Sequence, residues 1–434
     1  MQNLSNNINP HRTILHCDCN GYYASVECLM RPELYHIPMA VTGNPDNRHG
    51  IVLAKNQLAK EAGVITAETI SEAKRKCPNL VCVSPHHDLY QEYSVKINNI
   101  YREYTERVEP FGIDESFLDM TDLWQNYAAS PARFADLLRN RIRESIGLTI
   151  SVGVSFNKIL AKLGSDLKKP DATTVILPED LATKVWPLDI TNLLYVGKVT
   201  AKRLRVININ TIGDIAKTDP AFLASYLGKI GENLSLYARG LENSEVQKYS
   251  ELDEAKSIGN GMTFSEDLTD WTKINDGLSG LVDEVVARLI KAKKVCNVIQ
   301  VQLKSSDFQV YSRQTTLSQH IQKYEQIWAI VWQLINELWD ETTPIRLLAV
   351  TVSGLENQGE VYTQMSLADF VANSDQTENI SEKYLSQSKI KDANQTVSDY
   401  NNQTKISTKQ DQIKNLVFKL NQQMGGDFLK LGRN

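Results

Sequence analysis

The sequence predicts an α+β protein of several domains, and three observations predict it. The chain has 434 residues, too many for one ordinary core and about three domains by length. Its first part mixes short apolar strands with amphipathic helices and delivers acidic residues at strand ends. Its later part, residues 256–357, reads as β-α-β-β-α-β. The composition, 42% hydrophobic and 23% charged, is that of a globular protein. No apolar run approaches the roughly 20 residues of a membrane-spanning helix. Met1 to Pro10 lack the apolar centre of a signal peptide. Six cysteines are scattered without a disulfide or zinc framework, and the pair Cys17 and Cys19 has no second pair to complete a metal site. Reduced thiols in a cytoplasmic protein are expected. The net charge of -5 argues against bulk electrostatic coating of nucleic acid but leaves room for locally basic grooves.

Residues 12–19 read as a buried strand that ends at Asp18, and Asn20-Gly21 breaks it before a helical pattern from Tyr22 to Leu29. An acid in that place is either a helix cap or a ligand-binding group. Residues 38–41 and 50–54 read as two further strands joined by the loop Gly43 to Asn47. Residues 55–77 read as helical and basic. Residues 89–108 read as a longer helix with Tyr90, Tyr93, Ile97, Ile100, Tyr101 and Tyr104 on its core side. Ser130 and Pro131 are a cap and first residue for a helix whose apolar face runs through Phe134, Leu137, Leu138, Ile142 and Ile146. Residues 149–154 return as a strand.

The stretch from Glu109 to Met120 carries the chemistry. Asp114 and Glu115 are neighbours, and on an extended strand neighbours point to opposite faces. They serve one site only at a hairpin bend or strand end, and Gly112 supplies a place to bend. Two carboxylates held together repel, so one takes up a proton unless a cation neutralises them. A divalent metal shared with Asp18 is the economical partner; an acidic surface turn is the competing reading.

Residues 177–243 read as helices with short loops, and residues 242–254 as a polar tether. Then come a strand over 256–264, a helix over 276–292 and a strand over 295–303 with Val295, Ile299, Val301 and Leu303 alternating. A strand over 310–317 follows, then a helix through Ile327, Trp328, Val331, Trp332, Ile335, Leu338 and Trp339, and a closing strand over 346–352. The tryptophans read as core. Arg288, Lys291, Lys293, Lys294, Lys304 and Arg313, opposed in that window only by Asp307, form a basic stripe suited to phosphates. Residues 372–408 have the composition of a disordered linker. Residues 412–431, with Ile413, Leu416, Val417, Leu420 and Met424, have an amphipathic pattern.

Four separated motifs carry a resemblance. They are Asp18 before Tyr22-Tyr23-Ala24-Ser25-Val26-Glu27, and Gly112-Ile113-Asp114-Glu115-Ser116-Phe117-Leu118-Asp119. Next are Ser151-Val152-Gly153-Val154-Ser155 leading to Asn157-Lys158 and Leu160-Ala161-Lys162, and last Lys168-Lys169-Pro170. In this order and spacing, over residues 12–355, the chain resembles the Y-family translesion DNA polymerases, nearest the DNA polymerase IV-like branch. The resemblance implies a ferredoxin-like palm (residues 12–19 and 87–176), small fingers (20–86) and a helix-hairpin-helix thumb (177–243). It further implies a linker (244–255), a β-α-β-β-α-β little finger (256–357) and a tail (358–434) with a clamp-binding peptide, a disordered linker and a terminal helix. The implied activity is template-directed addition of deoxynucleotides to a primer 3′-end, with low fidelity and no proofreading.

The resemblance also implies site residues. Asp18, Asp114 and Glu115 would hold two Mg²⁺ ions, replaceable by Mn²⁺, with the Cys19 carbonyl as a further ligand. Hard oxygen donors suit those ions. Tyr23 would be the steric gate against a 2′-hydroxyl. Tyr22, Tyr23, Gln57, Lys60 and Lys169 would line the nucleotide. Gln57 and Lys60 stand where the family usually has Tyr and Arg, so the bidentate fork is lost while the charge is kept. Gly197, Lys198 and Thr200 would meet a DNA phosphate in a hairpin whose usual first glycine is Tyr195, and Leu227 to Glu232 offer a second such hairpin. Lys293, Lys294, Lys304 and Arg313 would also face DNA. Gln364, Met365, Leu367 and Phe370 resemble a peptide for the sliding clamp, the DNA polymerase III beta subunit. Primer-template DNA and dNTP are the other expected partners, with no membrane, and the chain is expected to be a monomer. Two alternatives remain at this stage: a palm-fold nucleotide cyclase, and a non-catalytic DNA- or clamp-binding accessory protein on the same fold.

Overall fold

A computed structural model of the chain describes residues 9, 11–43, 50–252 and 254–359. In chain order the first elements are β1 (Ile14–Cys19), α1 (Tyr22–Met30), β2 (Met39–Thr42), β3 (Val52–Lys55), α2 (Gln57–Glu61), α3 (Ile70–Lys76), β4 (Val81–Val83) and α4 (His87–Arg102). They continue with β5 (Val108–Pro110), β6 (Glu115–Asp119), α5 (Pro131–Ile146), β7 (Ile150–Ser155), α6 (Lys158–Leu167) and β8 (Thr173–Val175). The helices α7 (Lys198–Val206), α8 (Ile212–Lys217), α9 (Pro220–Leu227) and α10 (Lys229–Ala238) follow. Last come β9 (Ser257–Leu268), α11 (Trp271–Lys291), β10 (Lys294–Ser305), β11 (Val310–Ile321), α12 (Tyr324–Leu338) and β12 (Ile345–Asn357). The mixed α+β class is as expected. Among the described residues no helix is long and apolar enough to cross a membrane, and all six cysteines are free.

The sheet that matters most is five-stranded, in the order β5-β6-β1-β7-β8. Only β7 and β8 run parallel in it. Every residue of β1 and β7 is buried, because helices or chain cover both faces. One face, with Leu15 and Cys17, packs on Tyr90, Ile97 and Tyr101 of α4 and Phe134, Leu138 and Ile142 of α5. Ser130 caps α5 by accepting from the Arg133 N–H at 3.3 Å, with Pro131 first in the helix as the sequence suggests. The other face carries Ile14, His16 and Asp18, and α6 lies against it. That helix approaches so closely that a Cβ on Gly153 of β7 would sit 1.9 Å from the Ala161 carbonyl oxygen, and one on Gly164 would sit 3.1 Å from the Gly153 Cα. Asn157 caps α6, accepting from the Leu160 N–H at 2.9 Å and donating to the Gly240 carbonyl at 3.1 Å.

Several expected elements change. Residues 55–77 are not one helical segment: α2 ends at Glu61, and the turn through Gly63, at φ 85°, separates it from α3. The Thr69–Glu72 capping box restarts the chain as α3. The long tyrosine helix stops at Arg102, and Val108 belongs to a strand. The stretch read as a tether is a strap on the sheet's α6 side. Val246 is fully buried against Ile14, Phe117 and Ala161. Arg107 donates to the Val246 carbonyl at 3.0 Å, the Gln247 N–H donates to Glu109 at 2.8 Å, and Arg12 donates to the Ser244 carbonyl at 2.8 Å.

The last sheet has the order β11-β10-β12-β9, with α11 and α12 on one face, so β-α-β-β-α-β holds. Val295 is not on its core side. A bulge between Cys296 and Val298 shifts the phase, so Cys296 rather than Val295 is fully buried ahead of Ile299. Of the tryptophans, Trp339 is buried and Trp271, Trp328 and Trp332 pack on the same core half-buried. The clamp-peptide residues Gln364, Met365, Leu367 and Phe370, the linker and the terminal helix lie outside the described residues.

Gly153→Ala should force α6 away from the sheet, because backbone atoms occupy the added methyl's place. We expect a loss of about 3 kcal/mol or more of stability in urea unfolding, at the high end for overpacking.

Candidate active site

Register brings the acids together. Asp18 of β1 lies directly opposite Glu115 of β6, and the Cys19 N–H donates to the Asp114 carbonyl at 3.0 Å. Opposed residues in an antiparallel pair share a face, so Asp18 and Glu115 both look toward α6. Asp114 precedes the strand, in a hairpin loop that bends at Gly112 with φ 148° and closes through Phe111 N–H to the Glu115 carbonyl at 2.8 Å. The neighbours therefore serve one site because one of them lies off the strand. Asp114 is pushed up to about 6 by burial and then by the charges of Asp18 and Glu115.

Among the described residues no three carboxylate, histidine or cysteine side chains close on a single point. Ammonium groups bridge these acids instead. Lys162 Nζ lies 2.7 Å from Glu115 and 3.2 Å from Asp18, and Lys169 Nζ lies 2.8 Å from Asp18. Asp166 pairs with both lysines, at 3.2 and 2.9 Å. Burial alone would lower both lysines, but Glu115 and Asp18 beside Lys162, and Asp18 beside Lys169, hold them above the usual range. His16 is fully buried beneath the cluster, its Nδ1 2.8 Å from the Ser165 hydroxyl and its Nε2 3.5 Å from Glu115. Burial and then Lys162 push it down to about 3, so the ring is neutral.

These acids line a cleft of about 580 Å³. Cys19, Tyr23, Gln57, Lys60 and Lys169 also line it. Tyr23 is half-buried and stacks on Tyr90, centroids 4.1 Å apart and planes 13° apart. Tyr90 in turn donates to Glu27 at 2.6 Å. Glu27 is 1% exposed and also binds His86 at 2.7 Å and Arg31 at 2.5 Å. Tyr22 lines the cleft too but is only 3% exposed: its hydroxyl donates to the Tyr90 carbonyl at 2.5 Å and its ring packs in the core. The side chain of Tyr22 turns inward with that of Val26, and Tyr23 is the more exposed of the two tyrosines. Gln57 donates to Glu61 at 2.9 Å, one turn along α2, while Lys60 is exposed.

The DNA-facing candidates divide. Gly197, Lys198 and Thr200 stand at the start of α7, where Gly197 and Lys198 are exposed. Tyr195 just before them keeps φ 72°, the conformation that favours a glycine. Lys294 is corrected: it is 9% exposed and its ammonium is bound to Glu254 and to Asn357, the latter at 2.6 Å. Arg313 lies opposite buried Val301, so it is on the helix-covered side of its sheet, 3.9 Å from Glu337. Lys304 follows buried Leu303 and so is on the open side. Lys293, exposed at φ 54°, sits in the turn before β10. The basic residues are therefore not one stripe on one face.

Sequence reasoning gave no role to Lys162, Asp166, His16, Tyr90, Glu27 or Lys55. A signal was present for the first two: Lys162, Ser165, Asp166 and Lys169 recur at i, i+3, i+4 and i+7, one face of a helix. Lys55 lines the cleft, donates to Thr66 at 3.0 Å and is pulled down by burial and then by Lys60.

Burial raises Glu27, but hydrogen bonds from Tyr90, His86 and Arg31 outweigh it and leave it below the usual range. A depressed carboxylate stabilises the fold above its unfolded pKa and loses that contribution as pH falls. Glu27→Gln should cost about 2 kcal/mol in urea unfolding at neutral pH. The difference from the unchanged chain should shrink as pH drops below the ordinary carboxylate value of 4.5.

Comparison with known proteins gives one direction. A model described as the impB/mucB/samB family matches residues 17–166, and one for that family's C-terminal domain matches residues 255–367. DNA polymerase IV of Acetivibrio thermocellus is 42% identical over 356 residues, covering 82% of this chain and 89% of that protein. DNA polymerase IV of Clostridium acetobutylicum is 35% identical over 360 residues, covering 82% and 90%. Among solved structures, a Y-family DNA polymerase chimaera matches with a TM-score of 0.71 at 24% identity, covering 80% of this chain and 99% of its own. That likeness speaks for the fold.

Proposed function

Because this chain belongs to the impB/mucB/samB family, the Y-family DNA polymerases, we propose that its strand-end acids are the catalytic centre of a polymerase IV-like enzyme. The chain is a DNA-directed DNA polymerase of the translesion class, acting in DNA repair and damage tolerance. Polymerases of this family are metal-dependent. The observation that carries the reading is the row made by Asp18 and Glu115 with Asp114 at the hairpin end, opening on a cleft large enough for a nucleotide. The cyclase and accessory-protein readings are not favoured, since the relatives are polymerases over most of their length.

The donor set fits two Mg²⁺ ions, or Mn²⁺: three carboxylates and the Cys19 carbonyl, all hard oxygens, with Asp114 raised by burial and then by its acidic neighbours. Bound there, the ions would supply activation of the primer 3′-hydroxyl and neutralisation of the triphosphate. The chain's own groups would do the rest. Asp18, Asp114 and Glu115 hold the site, and Lys169, Lys60 and Gln57 orient the triphosphate of a dNTP. Tyr23, braced face-on by Tyr90 at 4.1 Å, excludes a 2′-hydroxyl. The parts then take the family's names: palm at 12–19 and 87–176, fingers at 20–86, thumb at 177–243 and little finger at 256–357. The exposed start of α7, Lys293 and Lys304 would meet primer-template DNA. Clamp binding through Gln364, Met365, Leu367 and Phe370, a monomeric state and a cytoplasmic location belong to the same proposal.

Asp114→Asn and Glu115→Gln should each lower primer extension by at least about a hundredfold, the scale of losing one electrostatic stabiliser. DNA binding in a gel-shift assay should stay near that of the unchanged chain, and full extension by either protein would refute the assignment. Tyr23→Ala should lower discrimination against ribonucleotides by about 10²-fold. Unchanged sugar selectivity in single-nucleotide insertion would remove the gate role.

A further inference from the structure

We propose that Lys162 is a built-in counter-ion of the acid row, holding its carboxylates together before metal arrives, so that divalent cations bind in competition with its ammonium. The inference rests on the metal-site reading above and goes beyond it, since that reading gives Lys162 no role. The geometry is specific. One Nζ, on a side chain only 12% exposed, lies 2.7 Å from Glu115, 3.2 Å from Asp18 and 3.2 Å from Asp166.

The ammonium cannot drift away, because α6 is locked to the sheet. Gly153 and Gly164 let helix and strand backbones touch. The Ser165 hydroxyl donates to the Lys162 carbonyl at 2.8 Å and meets His16 at 2.8 Å. Lys169 is differently placed. It is 30% exposed and its ammonium is bound to Asp18 and Asp166, so it steadies one end of the row only.

Physical chemistry gives the consequence. Three carboxylates in one row repel, and a cation within 4 Å of two of them offsets that repulsion. A divalent ion satisfies the same oxygens, so the two cations oppose each other at equilibrium even if both can be accommodated together. Removing the ammonium should therefore weaken the metal-free fold and strengthen metal binding. Were Lys162 merely packing, or were it a support for the metal, the second effect would be absent or reversed.

The test uses the full chain and Mg²⁺ alone, without DNA or nucleotide. Thermal unfolding is followed against Mg²⁺ concentration for the unchanged protein, Lys162→Met, Lys162→Arg and Asp114→Asn. Lys162→Met should melt lower without metal and show a larger Mg²⁺-induced rise in Tm. Its Mg²⁺ midpoint should fall about tenfold, which corresponds to about 1.4 kcal/mol of removed competition. Lys162→Arg, which keeps the charge, should stay close to the unchanged protein. A midpoint in Lys162→Met that is unchanged or higher overturns the proposal. If Lys162→Met is unfolded without metal, folding on Mg²⁺ addition supports it, and failure to fold at saturating Mg²⁺ overturns it. Asp114→Asn separates the two readings. If the Mg²⁺ response survives that change, the metal site itself is misassigned and the counter-ion role falls with it. If the response is lost there but is the same in Lys162→Met as in the unchanged chain, only the counter-ion role fails.

Discussion

The pairing of β1 with β6 is the constraint on which the site depends. It sets Asp18 opposite Glu115 and ties Cys19 to Asp114 through the backbone. A slip of one residue would turn Asp18 to the face that holds Leu15 and Cys17, among the side chains of α4 and α5. Both strands are enclosed on both sides, so such a slip would also bring Ile14 and Leu15 into exchanged packing environments. The register is thus held by the whole core, and the carboxylates are placed by apolar packing rather than by attraction to one another.

Placing like charges in a row has a cost, and α6 offsets it. The helix can deliver Lys162 into the row only because Gly153 and Gly164 leave no side chain between helix and strand. Buried ion pairs of this kind are poor sources of stability unless their remaining bonds are met. Here Asp166 bridges both lysines and Ser165 ties the helix to His16. Behind Tyr23 the same logic recurs. Glu27, buried at 1% exposure, collects bonds from Arg31, His86 and Tyr90, and so fixes the ring on which Tyr23 stacks. Two enclosed carboxylate networks therefore support the cleft's lining, one bearing the acids and one bracing the tyrosine.

What could be read from the sequence was whatever had a local signature. Asp18 ends an apolar run before Asn20-Gly21, Gly112 announces the bend beside Asp114, and Ser130-Pro131 announces α5; each stands as read. The strands β4 and β8 have three residues each, too few for a period to show. Tyr22 and Tyr23 are the same residue type side by side, so only the helix's inward direction, shared with Val26, tells the buried ring from the half-exposed one. The bulge after Cys296 shifted the alternation of β10, and no residue there signals it. Lys294 was counted as surface because its partner Glu254 comes from the strap, forty residues earlier in the chain. The strap itself had one clue, Val246, the sole large apolar side chain in a polar run from Glu242 to Lys248.

An acidic chain that handles a polyanion needs its charges sorted by place rather than by sum. At physiological salt, fields fade over about 8 Å, so the formal -5 is felt less than the few groups around the cleft. Those groups are of both signs. Asp18, Asp114 and Glu115 line the cleft together with Lys55, Lys60 and Lys169, the last joined to the acids by its 2.8 Å bond to Asp18. Lys55 lines the cleft half-buried, and burial and then Lys60 pull it down, so its charge is already partly stripped of water and acts there more strongly than that of an exposed lysine.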